Sequence, residues 1–75
     1  MKFDYSKLRG RIVEKFGSEK KFAEAFGISG VTMSRKLNGK TAISMEDIIE
    51  MSSDRLLDIR PAEYHEYFFA VKVHA

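Results

Sequence analysis

Residues 22–40 read FAEAFGISGVTMSRKLNGK. Two short apolar-spaced runs are separated by Gly27, Ile28 and Ser29. The second run combines the small side chains of Gly30, Thr32 and Ser34 with Arg35, Lys36, Asn38 and Lys40. A solvent-facing helix is ordinarily filled with Glu, Lys, Gln and Ala, which favour the helix and stay hydrated. A helix that gathers its smallest side chains and its cations together is suited to being pressed against a negatively charged partner.

Working outward, Ser18 is a good cap for a helix over about 19–26, with Phe22, Ala23 and Phe26 facing inward and Gly27 in the left-handed closing position. Ser29 caps a helix over about 30–37, with Val31 or Met33 and then Leu37 as apolar contacts, and Asn38-Gly39 stops it. Upstream, Leu8, Ile12, Val13 and Phe16 share one face of a helix over about 5–16, ended by Gly17. Downstream, Ser44 with Asp47 resembles a capping box, opening a fourth helix through Met45, Ile48, Ile49 and Leu56 or Leu57. Pro61 opens a short helix to about Glu66. The period then changes: Phe69, Val71 and Val73 alternate with Ala70, Lys72 and His74, as in a strand. The expected fold is mainly α, four to five helices in a single domain over residues 1–75, with 67–74 a short C-terminal β-strand.

A chain of 75 residues supports one small core and leaves little room for a catalytic pocket with its supporting shell. The absence of Cys excludes disulfides and thiolate zinc sites and fits a reducing interior. His65 and His74 are not spaced as a ligand pair, and no nucleophile lies in a G-x-S-x-G setting and no phosphate loop occurs. No enzyme activity, metal, cofactor or small-molecule substrate is therefore expected. No apolar run approaches a membrane span of about 18 residues, and MKFDYSKLRG has no apolar h-region, so no membrane partner and a cytoplasmic location are expected. The recurrent aromatics Phe3, Tyr5, Phe16, Phe22 and Phe26 read as core rather than as a stacking platform for single strands.

The net charge of +2 hides an asymmetry. Residues 1–43 hold ten Lys or Arg against four acids, +6, whereas residues 44–75 hold three against seven, −4. A polyanion partner for the first half only is the implication. Two short helices joined by a turn containing Gly form the helix-turn-helix unit, whose second helix enters the major groove. Small side chains at the leading edge of that helix bring its backbone close to the base edges in a groove about 12 Å wide.

FAEAFGIS, TMSRKLNGK and EYFFAVKV, with KLRGRI in the first helix, resemble the phage Cro and lambda-repressor-like helix-turn-helix family, in particular small Cro-like proteins ending in a Tyr-Phe-Phe stretch. Nearly the whole chain is covered. Ala23 and Gly27 match the family's small packing residue and turn glycine, and Met33, Leu37, Asn38 and Gly39 match the end of its recognition helix and the loop beyond. MSSDRLLDIRPAEY departs from the family's usual uninterrupted ending and leaves the course of residues 52–60 open.

The resemblance implies base contacts from Gly30, Val31, Ser34 and Arg35. Arg35 can pair with guanine O6 and N7, Ser34 can donate or accept, and Gly30 supplies clearance. Val31 has two readings, a thymine-methyl contact if it points outward and a core contact beside Met33 if it does not. Phosphate contacts are expected from Ser18, Lys20 and Lys21 at the start of the second helix and from Lys36, Asn38, Lys40 and Thr41 on the other side. The resemblance further implies a repressor that occupies operator double-stranded DNA, and small domains of this kind usually bind as two-fold dimers. The Phe69, Val71 and Val73 row is the candidate dimer interface; the same row could instead fold over its own helices. An antitoxin-type regulator, an activator, or a helix-turn-helix module that binds protein are the alternatives.

Overall fold

In the computed structural model, which describes residues 3–71, Gly27 has φ 98°, a left-handed conformation that costs a glycine little. Its amide donates to the Ala23 carbonyl at 2.9 Å and the Ile28 amide donates to the same oxygen at 3.0 Å, which ends one helix and lets the next begin two residues later. The elements are α1 Ser6–Phe16, α2 Glu19–Phe26, α3 Gly30–Leu37 and α4 Met45–Met51. A 3-10 turn at Pro61–Glu63 then leads into α5 Tyr64–Phe68. The molecule is mainly helical, with five α-helices among the described residues.

The caps are those that the sequence requires. The Ser18 hydroxyl accepts from the Lys21 amide and the Ser29 hydroxyl from the Thr32 amide, at 3.2 and 3.1 Å. Ser44 and Asp47 form a full capping box on α4: the Asp47 amide donates to the Ser44 hydroxyl, and the Ser44 amide donates back to the Asp47 carboxylate. α2 packs on α1 and on α3, and α5 closes over α1. One core results, built from Leu8 and Ile12, Phe22 and Ala23, Met33 and Leu37, Ile48 and Met51, then Leu57, Ile59, Tyr67 and Phe68. Phe22 lies between the rings of Phe16 and Phe26, with centroids 5.2 and 6.0 Å away.

Several expectations need correction. Val13 is about half exposed, because Leu8, Ile12 and Phe16 alone cover the buried stripe of α1. α4 ends at Met51, and of its apolar residues Ile48 and Met51 are buried whereas Met45 and Ile49 lie outside. Leu56 and Leu57 do not extend it. Residues 52–60 instead fold into turns in which the Leu57 amide reaches the Met51 carbonyl, and Asp58 at φ 51° sends both of its neighbours, Leu57 and Ile59, into the core. Arg11 pins this segment to α1, donating from Nε to the Leu57 carbonyl and from Nη2 to that of Asp58.

Among the described residues the C-terminal strand is not formed. Tyr67 and Phe68 complete α5 with both rings buried, because their core contacts stabilise a helical turn more than alternation stabilises a lone strand. Phe69 is half-buried against the core and meets Phe3 edge-on at 5.8 Å. Val71 makes one isolated antiparallel bridge to Phe3, and the Asp4 amide donates to the Ala70 carbonyl. The tail thus pairs with the start of its own chain. Lys72, Val73 and His74 lie outside the described residues.

Candidate nucleic-acid interface

At about 100° per residue, positions 30, 34, 38, 31 and 35 follow one another round one side of the helix, beginning beside the buried Met33 and Leu37 and ending opposite them at Arg35. On this side of α3, Val31 is 72% exposed, so its outward reading is the one realised. Gly30 and Arg35 are also exposed, and Ser34 is half-buried. A methyl group at Gly30 would meet nothing within 4 Å, so packing inside the chain does not demand glycine there. Ser18, Lys20 and Lys21 stand at the start of α2, which packs on α3. Asn38, Lys40 and Thr41 follow α3 in the loop beyond it, all exposed.

Charge pairing separates these cations from the rest. Lys7 pairs with Glu66, Arg9 with Glu19 at 2.7 Å and Arg11 with Glu14 at 2.9 Å. Lys36, read from the sequence as a phosphate donor, is engaged inside the molecule. Its ammonium is 2.9 Å from the Asp47 carboxylate, its side chain is only 13% exposed, and it also donates to the Ala42 carbonyl. The cause is the capping box, which fixes Asp47 beside the end of α3. Among the described cations of the first 43 residues, Lys15, Lys20, Lys21, Arg35 and Lys40 make no ion pair, and the last four belong to α2, α3 and the loop just after α3.

Burial pushes the Asp47 carboxyl upward, but hydrogen bonds from the Lys36 ammonium and from Ser44 outweigh it and hold the group below its ordinary value. A carboxyl that is more acidic in the folded than in the unfolded chain contributes stability above the unfolded value and loses it as pH falls through the folded one. The stability gap between wild type and Asp47→Asn is therefore expected to be full near pH 6 and to close as pH falls below about 4. Urea denaturation across this range measures it, and a gap independent of pH would contradict the ion pair.

Arg9 was not singled out by sequence reasoning. From α1 its Nη1 reaches Glu19 at the start of α2, while Nη2 donates to the Leu37 carbonyl at 2.9 Å and to Asn38 Oδ1 at 2.6 Å. Asn38 Nδ2 in turn donates to Ser34 Oγ at 3.2 Å. Asn38, expected at a phosphate, thus has its side chain engaged inside the molecule. The partners of Arg9 lie 10 to 29 positions away, a separation for which local periodicity gives no signal. Beside this network a cleft of about 310 Å³ opens between the N-terminal segment and the loop after α3, lined among others by Tyr5, Arg9, Asn38 and Thr41.

Of the expected interface row, Phe69 faces the core, Val71 bridges to Phe3, and Val73 is not among the described residues. Among the described residues no helix is long and apolar enough to cross a membrane, and no cluster of three His, Cys, Asp or Glu could hold a metal ion.

Residues 1–71 match the model of a family described as "Protein of unknown function (DUF739)". No curated protein matches the chain. Among solved structures, the chain is similar to the solution structure of the modulator of repression (MOR) of the temperate bacteriophage TP901-1 from Lactococcus lactis. The two are 40% identical, with a TM-score of 0.81 over 99% of this chain and 97% of that one.

Proposed function

The chain belongs to the family described as "Protein of unknown function (DUF739)", and from that membership and its likeness to a phage modulator of repression we propose that it is a small phage regulator of the helix-turn-helix type. It acts by binding operator double-stranded DNA, with α3 in the major groove. The observation that carries this reading is the segregation of charge: the internal ion pairs take up Lys7, Arg9, Arg11 and Lys36, while Lys20 and Lys21 at the start of α2, Arg35 on α3 and Lys40 just beyond it stay exposed and without an ion pair. Uncommitted positive charge together with small side chains fits a phosphate backbone on either side of a groove.

In this arrangement Arg35 reads guanine O6 and N7, Val31 touches a thymine methyl, Ser34 contacts a base edge and Gly30 allows close approach. Lys20, Lys21 and Lys40, with Ser18 and Thr41, hold the phosphates. α2 lies across the backbone. The likeness to a modulator of repression favours a role in setting the level of repression at a phage promoter. A second copy completes a two-fold site, as is usual for domains of this size.

Arg35→Ala is expected to cost on the order of 1–3 kcal/mol in binding and to relax preference at a single base pair. Lys40→Ala is expected to weaken every sequence about equally. Titration of both variants against a duplex selected from a random pool measures the difference. Uniform loss in both would assign Arg35 to phosphate, and no selected duplex at all would remove DNA binding in favour of a protein-binding module.

A further inference from the structure

The residues assigned to phosphate fall in two groups on different elements: Ser18, Lys20 and Lys21 at the start of α2, and Lys40 and Thr41 in the loop after α3. One side chain reaches the foot of both. From α1, Arg9 Nη1 donates at 2.7 Å to Glu19, the residue before Lys20. Its Nη2 donates at 2.9 Å to the Leu37 carbonyl and at 2.6 Å to Asn38 Oδ1, two residues before Lys40. Packing gives that loop little other support. No residue between Leu37 and Ile48 is buried, and Gly39, Thr41 and Ala42 border the open cleft of about 310 Å³. The amides of Gly39, Lys40 and Thr41 return to the Lys36 and Arg35 carbonyls, which belong to the end of α3 itself. Lys36 ties the far end of the loop to α4, and Arg9 ties its near end to α1 and α2.

We propose that Arg9 is a positioning residue for nucleic-acid binding: by joining Glu19 to Leu37 and Asn38, it fixes the spacing between the start of α2 and the loop after α3, so that both meet the phosphate backbone at once. This inference rests on the DNA-binding reading above. Arg9 acts through its three partners and not as a phosphate ligand itself. A guanidinium suits the place, because its donors lie in a rigid plane and hold several acceptors at set distances. Lysine at this position keeps the positive charge and can serve a phosphate as a point charge, but a single ammonium on a flexible stem does not hold the same three acceptors in place.

The test uses the full chain, the duplex that wild type selects from a random pool, and the variants Arg9→Lys, Lys40→Ala and their combination, with far-UV circular dichroism giving the folded fraction of each. Lys40→Ala is expected to lose roughly fivefold in affinity on the wild-type background and less than about twofold on Arg9→Lys, where the loop no longer holds Lys40 against phosphate. Arg9→Lys alone is expected to flatten the slope of log K against log salt by about 0.9 per subunit and to keep the base preference set by Arg35. Without DNA, the Gly39, Lys40 and Thr41 amides are expected to exchange their hydrogens about tenfold faster in Arg9→Lys than in wild type. Glu19→Ala, which frees Arg9 from α2 alone, takes the place of Arg9→Lys in the same cycle if that variant does not fold. An equal cost of Lys40→Ala on both backgrounds, a salt slope unchanged by Arg9→Lys, or a loss of affinity that only follows the unfolded fraction would each overturn the positioning role while leaving DNA binding intact. Failure of wild type to bind any duplex would overturn the DNA-binding reading and this inference with it.

Discussion

Phe22→Ala is expected to lower the melting temperature by roughly 15–30 °C and to leave a substantial part of the chain unfolded at physiological temperature. The ring is fully buried and held between Phe16 and Phe26, and it belongs to the helix that packs on both α1 and α3. Removing a buried phenyl group costs about 3–5 kcal/mol, through lost transfer energy and the cavity left behind. A domain of this length has only about 4–11 kcal/mol in total. Val13→Ala, on the exposed side of α1, is the control and should stay within about 0.5 kcal/mol. Far-UV circular dichroism during heating compares the two, and a Phe22→Ala chain that melts with wild type would mean that the core is not organised around this ring.

The second large effect is that of salt. With Lys20, Lys21 and Lys40 as the cations on phosphate, each subunit neutralises three charges. At about −0.9 per phosphate, a two-fold complex gives a slope of log K against log salt of roughly −5, and a single subunit roughly −2.7. Between 50 and 200 mM salt the dimeric complex therefore loses affinity on the order of a thousandfold, and a monomeric one about fortyfold. Fluorescence anisotropy at several salt concentrations gives the slope, and sedimentation with a palindromic duplex gives the stoichiometry independently. A constant unaffected by salt would remove the phosphate contacts, and a shallow slope with one chain per duplex would remove the second copy.

What the sequence revealed and what it concealed divide along a physical line. α2 and α3 were legible to the residue, because Ser18, Gly27 and Ser29 are local signals: a side-chain oxygen for orphan amides and a residue tolerant of positive φ. The capping box of α4 was legible for the same reason, and the end of that helix was not. Leu56 and Leu57 continue an apolar pattern, and only the left-handed Asp58, with Arg11 gripping two carbonyls from another helix, folds them back. The tail misled because alternation over a few residues has a strand's period whatever it packs against; burial of Tyr67 and Phe68 against the core decided for helix. On the candidate site, Lys36 and Lys40 look alike in sequence. Their difference is made by Asp47, which lies 11 positions beyond Lys36. Long-range partners of this kind also explain why Arg9 went unnoticed.

The bridge between Phe3 and Val71 has a bearing on the order in which the molecule assembles and comes apart. Its two residues lie almost the whole described length from one another, so closing it requires the largest loop, whereas the contacts of α1 with α2 and of α2 with α3 join neighbours in the chain. Nucleation belongs to those neighbouring helices, and the bridge can close only once they have condensed and brought its halves together. It rests on a single pair of half-exposed residues and one adjoining amide bond, so it is expected to open at low cost in native-state fluctuations. Such an opening exposes the ring pair of Phe3 and Phe69 while leaving α2, α3 and the turn at Gly27 intact.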